Sequence, residues 1–337
     1  MLVQFIYCYL FTFICSCLGI NFLIKSLKKH HKFQPIRVEG PESHMLKAKT
    51  PTMGGLAFNL SMILSILLFC NLRLQTTYMF ITIILGFGLI GLIDDIMKVF
   101  FNDTIGFKGY IKLILEIALA SIVLMWCIYQ NNVYLTNSFL FPFFNKWISF
   151  GFLALPFTII AMAGSSNATN ITDGLDGLLS MPIIFVSLTL LSIVLFFLNE
   201  NQINNLIFID EIELINIAKL LVIIIGAFSA FLCFNKHPAK IFMGDVGSLT
   251  IGALLFFIAF LLKIELYYAI MALLFIVELS STFLQVLFYK ITKKRIFKMA
   301  PIHHHFEKSG WPETKVVACF WGFSLISCLL SLLLLFF

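Results

Sequence analysis

Asp94 and Asp95 stand side by side at the end of a long apolar run, and Lys98 follows them. If the helix continues past Ile93, Lys98 lies three and four residues on and faces both carboxylates. An ordinary helix-end ion pair is one reading. Carboxylates joined to an almost unbroken apolar span are costly, however, and are usually kept for function. Lys112 is unusual in the same way, a cation in the opening turn of the next apolar run. It either snorkels to the boundary or points back toward the aspartates.

Four further stretches carry polar groups of the same kind. In SSNATNITDGLDGL, Asn167, Asn170, Asp173 and Asp176 recur every three residues. A helix would make them one polar stripe, whereas Gly174 and Gly177 permit a turn. Either arrangement presents oxygens that suit a hard cation such as Mg²⁺, and capping is the plainer alternative. In NKHPAKIFMGDVGSL, Asp245 lies between Gly244 and Gly247, an open backbone suited to a metal carboxylate or a phosphate. Asn235, Lys236 and Lys240 add donors there, and Phe242 is either core or a stacking surface for a planar base. In KMAPIHHHFE, the adjacent His303, His304 and His305 chelate one ion poorly and suit contact with an anion or diphosphate better. HMLKAKTPTMGG adds Lys47, Lys49, Thr50 and Thr52 as phosphate donors, with Gly54 and Gly55 at the entry to a helix.

The elements that must position these groups are membrane spans. The 337 residues are 60% hydrophobic and only 12% charged, with a mean hydropathy of +0.99. Soluble domains carry about twice that charged fraction, which excludes a cytosolic enzyme, a secreted disulfide scaffold and a disordered chain. Ten spans are expected, at roughly 4–24, 55–71, 77–93, 109–128, 150–165, 179–198, 216–234, 249–262, 266–289 and 315–337. Continuous apolar runs favour helices over a barrel, whose strands alternate; residues 150–165 are short enough to be re-entrant. The eight cysteines lie in apolar stretches and read as small buried hydrophobes. The first span reads as retained rather than as a cleaved signal. Segment 199–215 reads as a solvated acidic face, and 129–149 as a hairpin or an interfacial element.

With the start of the chain outside, 19 of the 23 Lys and Arg fall in inner loops and their flanks. That bias predicts both termini on the periplasmic side and accounts for the net charge of +6 without nucleic acid. The same orientation gathers Asp94, Asp95, Asp173, Asp176, Asp245 and the histidines at the cytoplasmic face. The expectation is an all-α polytopic integral membrane protein, one catalytic domain over 1–337, with its cleft on the cytoplasmic side. Carboxylates, lysines and histidines together suit metal-assisted phosphate chemistry in a dry cleft. A site at the membrane edge suggests one lipid phosphate substrate and one soluble substrate.

The stretches TPTMGG (50–55), GLIDDIMK (91–98), NATNITDGLDGL (167–178), PAKIFMGDVGSL (238–249) and KRIFKMAPIHHHFEKSGWPETKVV (294–317) resemble the phospho-N-acetylmuramoyl-pentapeptide-transferases almost end to end. The Asp-Asp pair and the NxxDGLDG stretch resemble the wider polyprenyl-phosphate N-acetylhexosamine-1-phosphate transferases, and PTMGG and MAPIHHHFE mark the muramoyl branch. The resemblance implies a Mg²⁺-dependent transfer from UDP-N-acetylmuramoyl-pentapeptide to undecaprenyl phosphate, giving lipid I and UMP at the bacterial inner membrane, and a homodimer. It implies that Asp94 deprotonates or positions the lipid phosphate, and that Asp95, Lys98 and Lys112 (or Lys108 in its place) hold phosphates. Asp245 is the implied metal ligand, and Asp176 and Phe242 are implied in the uridine pocket. Asn170, Asp173, Lys47, Thr52 and Asn235 line that cleft by the same resemblance, and His303 and His304 serve activity. Glu278 matches a family carboxylate that either kinks its helix or makes a buried hydrogen bond. Direct attack by the lipid phosphate is preferred over a phospho-enzyme, because the dianion is already a nucleophile. A transporter would place charges at the bilayer midplane and repeat its halves; a related N-acetylglucosamine-1-phosphate transferase would lack the histidine stretch.

Overall fold

The computed structural model describes residues 1–30, 50–101, 106–129, 137–144, 146–199 and 210–336. Lys47 and Lys49 therefore lie outside the described residues. The helices are α1 (Leu2–Lys29), α2 (Gly54–Phe69), α3 (Gln75–Phe100), α4 (Gly109–Tyr129), α5 (Ala154–Thr172) and α6 (Ser180–Asn199). They continue with α7 (Glu211–Asn235), α8 (Asp245–Leu261), α9 (Glu265–Met271), α10 (Leu273–Thr292), α11 (Ile302–Glu307) and α12 (Glu313–Phe336). Eight of the described helical segments are long and apolar enough to cross a bilayer, and α2 and α8 are shorter apolar helices. The protein is a helical, polytopic membrane protein.

One expectation about the elements is met and another needs amendment. An antiparallel hairpin of β1 (Ser138–Phe141) and β2 (Lys146–Ser149) joins the helices, pairing Leu140 with Trp147. The run expected at 266–289 is broken at Ala272, where ψ opens to 12°, into α9 and α10. By contrast, α3 runs past Ile93 to Phe100, so Asp94, Asp95 and Lys98 share one helix. Similarly, α5 runs helically to Thr172, which makes most of the SSNATNIT stretch part of a span.

The hub is α8, buried from Val246 to Leu261. A helix apolar on every side belongs in the middle of a bundle, and α3 and α5 pack along it. Small residues let these backbones approach: a Cβ on Gly91 of α3 would overlap the Asp245 carbonyl, and one on Gly55 of α2 would overlap Gly247. On the α5 side the contact is polar. Ser166 Oγ donates to Leu249 O at 2.9 Å and Thr169 Oγ1 to Ser248 O at 2.8 Å. Asn170 Nδ2 reaches Ser248 Oγ at 2.9 Å, and from α2 Asn59 Nδ2 reaches Val246 O at 2.9 Å. With no water in the hydrocarbon core, such groups need protein partners. Ser166, Thr169 and Asn170 of α5 are thus satisfied by α8, and the N-terminal end of α8 is fixed from three sides.

Candidate active site

The N-terminus of α8 is where the site assembles. Gly244, with φ +77°, turns the chain into the helix, and any side chain there would strike the Asp95 carboxylate. Asp95 is buried and accepts the backbone N–H of Asp245 and of Val246, each at 3.1 Å. It caps α8 from α3, a placement favoured by the positive end of the helix. Asp94 accepts the Phe107 backbone N–H on Oδ1 at 2.6 Å, while Lys98 pairs with its Oδ2. Gly106, at φ +64°, makes room for that approach.

Asp245 projects between the two lysines. Lys112 Nζ lies 2.6 Å and Lys98 Nζ 3.3 Å from Asp245 Oδ2. Lys112 is therefore the lysine brought to the aspartates, while Lys108 is exposed. Asp94, Asp95 and Asp245 each offer an oxygen, and these atoms all lie within 4.8 Å of one another. Mg²⁺ binds oxygens at about 2.1 Å, so opposite ligands stand about 4.2 Å apart. The spacing is close to that need, and three carboxylates beside two ammonium groups leave excess negative charge. The donor set fits a hard divalent cation.

Asp173 caps α5 beside this group. Its carboxyl is held well above the usual carboxylate range, first by burial and then by the negative charges of Asp245, Asp95 and Asp176. Asp176 is buried, and its Oδ2 accepts the Ala239 backbone N–H at 2.9 Å and meets His237 Nδ1 at 3.2 Å. Glu313 accepts the Asp176 N–H at 2.8 Å, so Asp176, His237 and Glu313 form a second convergent group. Asn235 is wholly occupied within the chain. Its Oδ1 accepts Gly177 N–H and Ser180 Oγ–H, and its Nδ2 donates to Ile241 O at 3.0 Å. It ties the turn after α5 to the loop before α8.

The remaining expected residues divide. Thr52 is buried, its hydroxyl without a partner among the described residues. The neighbouring segment joins the loop that carries Phe242 through Phe242 N–H to Pro51 O at 2.8 Å and Gly54 N–H to Phe242 O at 2.9 Å. Phe242 itself is half-buried. Asn170 is committed to α8 and Asn167 to Glu116 of α4.

The histidines divide: the rings of His303 and His304 meet, with centroids 4.2 Å apart, while His305 turns toward Phe297. His303 is buried, with Nδ1 3.0 Å from Glu278 Oε2, and its Nε2 lies against Gly174, where any side chain would collide with it. His304 Nδ1 pairs with Glu307 at 2.7 Å, and His305 Nδ1 accepts the Lys298 backbone N–H at 3.1 Å. Of the two expectations for Glu278, the buried hydrogen bond is observed.

Glu116, His237 and Glu313 were not singled out by the sequence. Glu116 had a readable signal, a carboxylate inside an apolar run one turn after Lys112. His237 and Glu313 had none, since each lies at a span end where charge is ordinary.

Comparison with known proteins identifies the family. Residues 76–263 match the model of glycosyl transferase family 4, and residues 47–58 match a phospho-N-acetylmuramoyl-pentapeptide-transferase signature. A phospho-N-acetylmuramoyl-pentapeptide-transferase of Rickettsia felis is 43% identical over 333 residues, covering 95% of this chain and 88% of the relative. That of Buchnera aphidicola subsp. Baizongia pistaciae is 40% identical over 343 residues, covering 99% of each. One of Rickettsia akari is 44% identical over 333 residues, covering 95% of this chain and 88% of the relative. The chain is therefore a member of the phospho-N-acetylmuramoyl-pentapeptide-transferases within glycosyl transferase family 4.

Proposed function

We propose that the protein transfers phospho-N-acetylmuramoyl-pentapeptide from its UDP-linked donor to undecaprenyl phosphate, releasing UMP and forming lipid I. The observation that carries the reading is the meeting of Asp94, Asp95, Asp245, Lys98 and Lys112 at one helix N-terminus. Phosphoryl transfer needs alignment and charge neutralisation more than covalent help from the protein. Lys98 and Lys112 supply positive charge to phosphate oxygens, and Asp94 receives or orients the acceptor's proton. Asp94, Asp95 and Asp245 would hold Mg²⁺, which when bound neutralises charge on the diphosphate. Asp176 and Phe242 frame the uridine end, and His304 faces the diphosphate or sugar. The buried His303 holds the turn at Gly174 in place.

Direct attack by the lipid phosphate is the favoured route. Asp94 and Asp95 are buried, and both oxygens of each are engaged, by Phe107 and Lys98 in one case and by the α8 backbone in the other. The dianionic lipid phosphate is already a nucleophile, so the protein needs mainly to align it and neutralise charge. The single domain, the periplasmic termini, the cytoplasmic-facing cleft in the inner membrane and the homodimer are parts of the same proposal. The positive charge of the inner loops supports the orientation.

The test is UMP release by the purified protein with undecaprenyl phosphate and Mg²⁺, comparing UDP-N-acetylmuramoyl-pentapeptide with UDP-N-acetylglucosamine. Turnover is expected with the first donor only. Asp94→Asn and Asp245→Ala should each lower it by about 10² or more, the scale of a lost electrostatic group. Equal use of both donors, or full activity in either variant, would overturn the assignment.

A further inference from the structure

Glu116 is a buried carboxylate beside the site to which the proposed reaction gives no task. Its side chain is wholly shielded, on the inward stripe of α4 that continues through Ala120, Val123 and Leu124. Lys112 lies one helical turn earlier on that stripe, the spacing at which helical side chains meet. Glu116 Oε2 accepts a hydrogen bond from Asn167 Nδ2, whose other hydrogen goes to Ala163 O at 2.9 Å. Glu116 Oε1 is buried with no hydrogen-bond partner among the described residues. A buried carboxylate oxygen left without a donor is rarely tolerated unless something is due to bind there.

Lys112 has the opposite difficulty. Its ammonium sits 2.6 Å from Asp245 Oδ2, on the residue that the proposed reaction assigns to the cation. Lysine and metal then compete for one carboxylate, and a lysine released into a span without a counter-charge would oppose the exchange.

We propose that Glu116 is a positioning residue that provides a second seat for Lys112. When a divalent cation takes Asp245, the Lys112 ammonium passes to Glu116 Oε1, four residues along the same helix. The lysine stays in the cleft, the cation gains its ligand, and Asn167 stays fixed by the other oxygen. The inference rests on the assignment of Asp245 to the cation.

The test reads metal binding directly, with Mn²⁺ titrated against purified full-length protein in detergent and followed by electron paramagnetic resonance. Glu116→Gln keeps an acceptor for Asn167 but removes the charge, and should raise the Mn²⁺ Kd by about fivefold or more, the low end of coupling between sites. In a Lys112→Gln background the same substitution should shift it by less than about twofold, because no lysine needs a second seat. Glu116→Asp keeps the charge and should bind Mn²⁺ within about twofold of the parent, which preserves the test if the Gln variant folds poorly. An unchanged Kd in Glu116→Gln, an equal shift in both backgrounds, or loss of affinity in Glu116→Asp would overturn the proposal. Mn²⁺ binding untouched by Asp245→Asn would instead overturn the cation assignment beneath it.

Discussion

Gly91 has no chemistry of its own, yet the geometry makes it the strictest test of how the site is held. It lies one turn before Asp94 and Asp95 on α3, pressed against the backbone of Asp245 and Val246. The Cβ of an alanine there would fall well inside contact distance of the Asp245 carbonyl group. Carbon contacts are comfortable at about 3.5–4.0 Å, so α3 and α8 must separate by about 1 Å. That displacement opens the aspartate group itself, and misplacement on this scale costs about 10² in rate, or about 2.7 kcal/mol of barrier. Gly86, on the same helix, is the control: the atoms nearest its Cβ would be those of the Leu119 side chain rather than backbone, and that side chain can turn aside. Both changes remove a helix-interior glycine and gain up to about 1 kcal/mol of propensity. UMP release should therefore fall about a hundredfold in Gly91→Ala and stay within about threefold of the parent in Gly86→Ala. Equal activity in the two variants would refute the argument that α3–α8 contact sets the site.

Other outcomes follow from individual contacts. Asp95→Ala leaves two N-terminal N–H groups of α8 without their acceptor; at about 1.5–3 kcal/mol for each hydrogen bond to a charged group, thermal unfolding in detergent should occur well below the parent, with Asp95→Asn in between. An Asp95→Ala protein melting with the parent would contradict the capping role. Lys112→Gln should lower turnover by about 10², whereas Lys108→Gln, at an exposed position, should change it little; the reverse ranking would move the phosphate-binding role. Asp173 binds its proton more tightly folded than unfolded, since its value is raised by burial and neighbouring carboxylates. Its contribution to stability is therefore complete below the ordinary carboxylate range and fades as pH rises through the raised value. In metal-free buffer the melting temperature should fall with rising pH, and Asp173→Asn should flatten that slope; an unaltered slope would count against the placement of Asp173.

The sequence revealed most where one element sufficed to carry the signal. Asp94, Asp95 and Lys98 were legible because α3 continues through them, so their spacing alone set their contact. The α5 stripe was ambiguous between helix and turn, since its helix depends on hydroxyl bonds to carbonyls of α8, some 80 residues away in the chain. Asp95 reads as a phosphate neighbour in sequence, but its bonds go to a helix N-terminus that only the fold brings near. Adjacent histidines suggested one cluster; the rings of His303 and His304 do meet, but each of the three takes a separate hydrogen-bond partner supplied by the fold. Asn235 looked like a cleft donor, and its amide is spent on two turns that no spacing rule joins.

The most direct measurement of the central claim follows the donor's β-phosphate. With purified protein, Mg²⁺, undecaprenyl phosphate and UDP-N-acetylmuramoyl-pentapeptide labelled at that phosphorus, label should enter a lipid diphosphate in step with UMP. Without the lipid acceptor, no UMP should appear and no label should remain on the protein. UMP release without acceptor, accompanied by labelled protein, would contradict direct transfer within the α3–α4–α8 cleft.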